Sequence, residues 1–172
     1  FMTTDCAGAG GPNIPPPGDG KIAACVANSP GGPLHVMISD RRAEHLPGCN
    51  IAFRADRLKA IGGFDPRFRA AGDDVDVCWR IQERGWWLAF SPGAVVWHHR
   101  RNSIPAYIRQ QKGYGRAEAI LEQKWLDKYN SLGHLNWKGI IYGKGLTRAI
   151  SWRKWRVYHG TWGSAPFQSL YG

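Results

Sequence analysis

Three carboxylates stand at the start of a predicted helix, where they could take up a proton or hold a cation. Asp73, Asp74 and Asp76 fall within a single helical turn. On a helical wheel Asp73 and Asp76 lie on the polar side of this helix, together with Arg80. Asp74 lies on the other side, one turn before Cys78, on the face that should pack inward. Because a buried carboxylate at a helix start is stabilised by free N–H groups but still needs a partner, we predict a functional role for Asp74.

Two interpretations of Asp73 and Asp76 stay open. Either they bind substrate, or they decorate the first helical turn, with Asp76 paired to Arg80 four residues later. The stretch Asp74-Val75-Asp76 also has the Asp-x-Asp form of a metal-diphosphate site in nucleotide-sugar enzymes. Such a motif normally follows an apolar strand, whereas this one follows a loop and enters a helix. We therefore do not interpret it as the metal motif.

A second group of polar residues follows a predicted strand. His98 and His99 come directly after Val95-Val96-Trp97. Alternate side chains of a strand point to opposite faces, so at most one of the two histidines faces the site. His98 either contacts a metal or diphosphate, since imidazole is a common ligand, or only forms hydrogen bonds at the strand end. Arg100 either contacts diphosphate oxygens or is a solvated charge.

Gly48 and Asn50 open another predicted strand and are candidates for ligand binding. A glycine lets a ligand approach the backbone where a Cβ would block it, and the amide of Asn50 could form a hydrogen bond to a ligand. An ordinary strand entry with a structural Asn hydrogen bond explains both residues equally well. Both interpretations stay open.

The elements that must position these residues alternate between helix and strand. Apolar periodicity and turn residues predict helices at residues 19–28, 55–61 and 75–84, and a long helix from 103 to about 129 with a break at Gly113 and Gly115. Strands are predicted at residues 34–38, 48–53, 87–90 and 94–97. The Gly- and Pro-rich residues 8–20 are predicted to form an extended loop, and residues 40–44 a charged connection. This alternation predicts an α/β fold.

The composition is that of one domain with an unusual charge. The chain has 172 residues and a formal net charge of +10, and after Glu83 only Glu118, Glu122 and Asp127 are acidic. Such a surface attracts nucleoside diphosphates, anionic lipid or nucleic acid, and charge alone does not choose among them. The longest apolar runs are far shorter than the roughly 20 residues of a membrane-spanning helix. Four widely spaced cysteines without a Cys-x-x-Cys pair argue against a zinc site.

Five short motifs occur in order along about residues 8–120. They are Gly48-x-Asn50-x-Ala52-Phe53-Arg54, Ile61-Gly62-Gly63-Phe64-Asp65, Gly72-Asp73-Asp74-x-Asp76, Pro92-x-Ala94-Val95-Val96-x-His98 and Tyr107-x-Arg109-Gln110-Gln111-x-Gly113-Tyr114-Gly115. Each alone is weak, but the ordered series resembles the family 2 glycosyltransferases of the GT-A fold.

The resemblance implies an inverting sugar transfer with Asp74 as the catalytic base. In that family an acidic pair, usually Glu-Asp, opens the helix after the glycine loop, and its second member removes the acceptor proton. A divalent metal, Mg²⁺ or Mn²⁺, is implied for the complete enzyme, with His98 as an optional ligand. The expected substrate contacts are Asp73, which stands where the family commonly has Glu, Asp76, Gly48, Asn50, Arg100 and Gln110.

The resemblance also implies a domain organisation. Residues 1–120 are expected to be the C-terminal half of a catalytic domain, and residues 121–172 a basic, aromatic extension. The expected structure is a partial GT-A-like fold, a short mixed sheet flanked by helices and followed by a long helix. Neither the nucleotide-binding units nor the Asp-x-Asp metal site of the family is recognised, so we expect a fragment that is inactive alone.

The expected partners are a nucleotide-sugar donor and a glycan or lipid-linked acceptor. We expect a cytoplasmic location, with a peripheral position at the inner membrane face, reached through the basic C-terminal region, as a further option. Nucleic acid is not the expected partner of such an enzyme. The alternative is a non-catalytic basic module that binds anionic membrane or nucleic acid through residues 100–156. That alternative explains the charge but not the ordered motifs.

Overall fold

The computed structural model describes residues 5–29, 32–130, 133, 135–139, 156–162 and 165–171, the last two ranges by their backbone alone. In chain order the described elements are β1 (Cys6–Gly10), β2 (Asn13–Ile14), α1 (Lys21–Ala27), β3 (Val36–Ser39), β4 (Arg42–His45), β5 (Ile51–Phe53), α2 (Ala55–Ala60), α3 (Asp73–Glu83), β6 (Trp87–Phe90), β7 (Val96–Trp97), α4 (Ile104–Lys124), β8 (Arg156–Trp162) and β9 (Ala165–Tyr171). Short 3₁₀ helices lie at Gly48–Asn50 and Leu126–Lys128. None of the described helices is long and apolar enough to cross a bilayer.

A five-stranded mixed sheet in the order β3-β4-β6-β1-β5 organises the fold. β1 runs parallel to β6 and antiparallel to β5, while β4 runs antiparallel to β3 and β6. The apolar face of α3 packs on this sheet. Their shared core comprises Ala7, Ala43, Leu46, Val77, Cys78, Ile81 and Leu88. The predicted α/β class, with a short mixed sheet flanked by helices, is confirmed.

The strand β1 corrects the prediction of an extended loop from residue 8. It lies inside the sheet, hydrogen-bonded to β5 on one side and β6 on the other. A Cβ at Gly10 would overlap the carbonyl oxygen of Asn50, and one at Gly8 would lie 2.8 Å from the carbonyl oxygen of Ala52. Glycine is therefore needed for the close approach of these strands. Because glycine has no apolar side chain, the usual strand pattern is missing from the sequence.

The strand β4 corrects the predicted charged connection at residues 40–44. Its side chains Ala43, Glu44 and His45 are all buried. Glu44 is accommodated because one carboxylate oxygen accepts a 2.5 Å hydrogen bond from the backbone N–H of Gly139. Sequence pattern alone does not distinguish a solvated acid from a buried acid whose partner lies 95 residues later in the chain.

The helix α3 starts two residues before the predicted position, at Asp73. Gly72 precedes it in the left-handed region, with φ 83°. A Cβ at Gly72 would lie 3.1–3.3 Å from the side chains of Phe68, Ala117 and Leu121. This glycine therefore sets both the direction of the helix start and its close contact with α4.

The helix α4 runs without interruption from Ile104–Lys124, so the predicted break at Gly113 and Gly115 is wrong. Two glycines lower intrinsic helix stability by about 1 kcal/mol each, an amount that tertiary packing can offset. The end of α4 and the following residues form a second core with α3. This core comprises Phe68, Trp79, Leu121, Trp125 and Tyr129.

Two smaller sheets complete the described structure. β2 and β7 pair in parallel, and β7 is shorter than the predicted strand at residues 94–97. β8 and β9 form an antiparallel hairpin with each other. Much of the predicted extension at residues 121–172 lies outside the described residues. Its described start packs in the second core, and the proposed boundary at residue 120 stays a prediction.

Candidate active site

An open cleft of about 470 Å³ lies at the N-terminal end of α3. Its walls come from the segment before β3, the 3₁₀ helix after β4, the loop that precedes α3, and the middle of α4. The polar side chains that line it are His45, Cys49, Asp73, Asp74, His98, Gln110, Tyr114 and Glu118. The cleft is large enough to admit a sugar ring and part of an acceptor.

Asp74 is held at the edge of this cleft by two backbone N–H groups. Its Oδ1 atom accepts a 2.9 Å hydrogen bond from Val75, and its Oδ2 atom accepts a 2.8 Å hydrogen bond from Gly48. The side chain is 22% exposed, so it is largely buried yet reachable from the cleft. The inward direction predicted by the helical wheel is confirmed.

The surroundings of Asp74 favour its carboxylate form. Burial raises the pKa of Asp74, but the adjacent His45 ring and the two backbone donors together lower it more, so the pKa lies below its ordinary value. The N-terminus of α3 acts in the same direction, because its partial positive charge stabilises an anion. Asp74 is thus deprotonated at neutral pH and can accept a proton in the cleft.

His45, which sequence reasoning missed, lies beside this carboxylate and belongs to another element, β4. Its Nε2 atom lies 3.6 Å from Oδ2 of Asp74, and its Nδ1 atom lies 2.9 Å from the carbonyl oxygen of Leu34. Trp137 stacks on the ring with centroids 5.5 Å apart. In the sequence His45 follows the charged segment 40–44, a context that is not diagnostic.

Asp73 lines the same cleft beside Asp74. Burial, and then the negative charge of Asp74, raise the pKa of Asp73 above its ordinary value. The two neighbouring carboxyl groups therefore differ in pKa, and the pKa of Asp74 is the lower of the two. The predicted substrate contact of Asp73 is compatible with this position and stays a prediction.

Asp76 does not line the cleft, which corrects the predicted polar, substrate-facing position. It is 0% exposed and forms a 2.8 Å ion pair with Arg80. Its other oxygen accepts hydrogen bonds from Trp125 at 2.9 Å and Lys124 at 2.6 Å. The helical wheel placed Asp76 wrongly because α3 packs against two cores. α4 covers the side of α3 that would be exposed to solvent if α3 packed on the sheet alone.

Gly48 and Asn50 take different positions. Gly48 lines the cleft and contributes its N–H to Asp74, and a Cβ there would meet only ordinary contacts with that side chain at 3.6 Å. The predicted approach of a sugar to this glycine stays a prediction. The amide of Asn50 donates to the carbonyl oxygens of Pro12 and Ala94, at 2.8 and 2.6 Å, and does not line the cleft. The side chain of Asn50 thus connects the loops that contain Pro12 and Ala94, which agrees with the interpretation of its hydrogen bonds as structural.

A smaller cavity of about 80 Å³ adjoins the cleft. Its lining includes Arg100 and Arg101, which form the basic wall of the site. His98, Gln110 and Tyr114 line both spaces, and Arg100 lines the smaller one. Arg100 donates a 2.8 Å hydrogen bond to the side-chain oxygen of Asn13 and also contacts His98. The structure therefore brings together Arg100 and Gln110, two predicted substrate contacts, and His98, the predicted optional metal ligand.

His98, the predicted optional metal ligand, lines both cavities. Burial, and then the positive charges of Arg100 and Arg101, lower the pKa of His98, which keeps its ring neutral. A neutral ring suits metal ligation. Yet within the described ranges no group of three His, Cys, Asp or Glu residues is placed to hold a cation. His99 lines the smaller cavity and pairs with Asp19, at 2.5 Å. Metal binding by His98 stays a prediction.

Comparisons with known proteins find a region of this chain similar to one family of enzymes. Residues 30–113 match the model of the family described as glycosyltransferase like family 2. The pre-mycofactocin glycosyltransferase of Mycobacterium tuberculosis is 32% identical over 112 residues, which cover 62% of this chain and 24% of that protein. The probable glycosyltransferase YdaM of Bacillus subtilis is 25% identical over 87 residues, 51% of this chain and 20% of that protein.

A third relative is matched over a shorter stretch. The N-acetylglucosaminyl-diphospho-decaprenol L-rhamnosyltransferase of Mycobacterium tuberculosis is 34% identical over 65 residues, which cover 38% of this chain and 21% of that protein. The matched part of the chain thus spans about a quarter or less of the length of these relatives. All three matches concern proteins that are named as glycosyltransferases.

Proposed function

We propose, from the premise that residues 30–113 of this chain are a region of a family 2 glycosyltransferase, that Asp74 is the general base of an inverting sugar transfer. The donor is a nucleotide sugar, and the acceptor is a hydroxyl of a glycan or of a lipid-linked sugar. The observation that carries this proposal is the position of Asp74. It is a carboxylate with a lowered pKa, held by two backbone N–H groups, at the edge of a cleft of about 470 Å³.

The proposed reaction is a single displacement at the anomeric carbon. The acceptor hydroxyl transfers its proton to Asp74 while its oxygen bonds to the anomeric carbon. The bond between that carbon and the diphosphate oxygen breaks on the opposite face, so the configuration inverts and a nucleoside diphosphate leaves. Asp74 suits this role because a carboxylate that is deprotonated before the reaction can take the proton as the new bond forms.

Charge complementarity supports a donor diphosphate on the basic wall. Arg100 and Arg101 line the smaller cavity with the neutral ring of His98 and the amide of Gln110. A leaving diphosphate gains negative charge as its bond to the sugar breaks, and fixed positive groups stabilise that charge. We therefore propose that Arg100, Gln110 and His98 contact the diphosphate, and that Asp73 contacts the acceptor.

A divalent metal is consistent with membership of this family, and we propose Mg²⁺ or Mn²⁺ as the cofactor. When bound to a donor diphosphate, such an ion would supply further stabilisation of the leaving group. The described residues do not form a cation site, so the steps above are assigned to the side chains of this chain alone.

The site chemistry and the family match do not favour the alternative of a non-catalytic basic module. They are compatible with a peripheral position of the enzyme at an anionic, cytoplasmic membrane surface, which we propose as its location. The exposed start of α4 supports this proposal. There Ile104 and Ile108 are 62% and 49% exposed, beside the exposed cations Arg109 and Lys112. Apolar residues next to cations are the composition that favours binding in a lipid interface.

The proposed activity is tested by a screen of nucleotide sugars. The gene's full-length product is incubated with several donors and either Mg²⁺ or Mn²⁺, and release of nucleoside diphosphate is measured with and without candidate acceptors. We expect release with at least one donor and inversion at the anomeric carbon of the product. A well-folded protein that releases nucleoside diphosphate from none of the donors would contradict the proposal.

A further inference from the structure

The tautomer of His45 is fixed by its surroundings. Nδ1 lies 2.9 Å from the carbonyl oxygen of Leu34, and a carbonyl can only accept a hydrogen bond. Nδ1 therefore carries a hydrogen in both the neutral and the charged ring. It follows that the second proton of a charged ring lies on Nε2.

The Nε2 atom of His45 faces Asp74 and finds no other partner in the described part of the chain. It is buried without a hydrogen bond, and the whole side chain is only 9% exposed. Oδ2 of Asp74 lies 3.6 Å away. A neutral ring would direct a lone pair at a carboxylate, which leaves a buried polar atom unsatisfied. A protonated ring instead forms an ion pair with the carboxylate.

The hydrogen bonds of Asp74 distinguish its two oxygens. Oδ2 accepts the N–H of Gly48 and also faces His45 at ion-pair distance. In the described part of the chain, Oδ1 accepts a single hydrogen bond, from the N–H of Val75. A carboxylate oxygen has two acceptor positions, so one position on Oδ1 stays open.

We propose that His45 is a positioning residue for the base: its protonated ring holds Oδ2 of Asp74 and leaves Oδ1 to take the acceptor proton. The inference rests on the proposed function for its catalytic meaning, but the pairing itself does not depend on any activity. In the transfer step the proton of the acceptor hydroxyl moves to Oδ1, while His45 keeps its own proton. Trp137 keeps the ring in place by stacking on it.

Other titratable groups surround the pair. Asp73, Cys49, Cys78 and Tyr114 interact electrostatically with Asp74, His35 interacts with His45 and Glu44 with Cys78, and Glu118 lines the same cleft. Among these groups only His35 can carry a positive charge. His35 is buried like His45 and lies against Phe90, with ring centroids 4.6 Å apart. It therefore provides a matched control.

The first test measures the carboxyl of Asp74 itself. The carboxyl carbon is followed by NMR during a pH titration of this chain, in the natural sequence, in His45→Gln and in His35→Gln. We expect the titration midpoint of Asp74 to rise in His45→Gln, because the positive partner is lost, and to stay unchanged in His35→Gln. An unchanged midpoint in a folded His45→Gln protein would overturn the proposal, whether or not any transfer is detected.

The second test separates positioning from a merely structural role. In the full-length product, His45→Gln keeps an N–H that can reach Oδ2 but cannot titrate, whereas His45→Leu removes it. We expect kcat/KM to fall about tenfold or more in His45→Leu and only a few fold in His45→Gln. A fall in His45→Gln as large as that in His45→Leu would overturn the proposal, because the N–H of glutamine would then give no rescue.

Discussion

The backbone N–H of Gly48 donates a 2.8 Å hydrogen bond to Oδ2 of Asp74, 26 residues later in the chain. This bond joins the 3₁₀ helix that follows β4 to the N-terminus of α3. It brings the carboxylate to the cleft wall at the place where α3, the sheet and α4 meet. The candidate base is therefore positioned by backbone from two separate elements, and its geometry depends on how those elements pack.

The close packing of β1 gives the first prediction. Gly10→Ala should destabilise the protein by about 1–3 kcal/mol, because the new Cβ would overlap the carbonyl oxygen of Asn50. Urea unfolding followed by circular dichroism measures the change. Gly93→Ala is the matched control, since a Cβ there meets nothing within 4 Å. Equal stability of the two variants would contradict the described register of β1.

The buried acid Asp76 gives the second prediction. Asp76→Asn should lower the free energy of unfolding by about 3–5 kcal/mol, because Arg80 and Lys124 would lose their buried counter-charge. Asp127→Asn, at an exposed position, should change it by less than about 0.5 kcal/mol. Urea unfolding at neutral pH compares the two. A small effect of Asp76→Asn would argue for a role in substrate binding rather than in the second core.

The raised pKa of Asp73 gives the third prediction. Burial and the charge of Asp74 disfavour the Asp73 carboxylate in the folded state, so the charged form lowers stability above its folded pKa. Asp73→Asn should therefore stabilise the protein at neutral pH, and the gain should shrink as the pH falls and the natural carboxyl becomes protonated. Unfolding experiments at several pH values measure this trend. Glu83→Gln, exposed at the other end of α3, should show no such gain.

How much of this could be predicted from the sequence depends on the residue. Asp74 was predicted correctly as inward-facing, because its helical phase and the order of motifs both lie in local sequence. The partial GT-A-like fold is likewise confirmed. The approach of His45 to Asp74 could not be predicted, since the two residues lie on different elements that meet only in the folded chain. Asp76 was misplaced for the same reason, because the covering α4 follows much later.

The exposed start of α4 gives the fourth prediction. The pair Arg109→Glu with Lys112→Glu should lower binding to vesicles of anionic lipid about tenfold or more, since each cation near such a surface contributes about 1 kcal/mol. The control is the double variant Lys59→Glu with Arg84→Glu, which reverses two charges exposed outside α4. Co-sedimentation at low and high salt measures binding. Equal loss in both double variants would show a general charge effect and contradict a specific α4 contact.

The central claim is that the carboxylate of Asp74 removes the acceptor proton. The most direct measurement is the single-turnover rate of transfer by the full-length product carrying Asp74→Asn, with donor affinity measured in parallel. Asparagine keeps the size of the side chain but cannot accept the proton. We expect the transfer rate to fall by at least about a hundredfold, with donor affinity nearly unchanged. Transfer at close to the natural rate in this variant would contradict the assignment of Asp74 as the base.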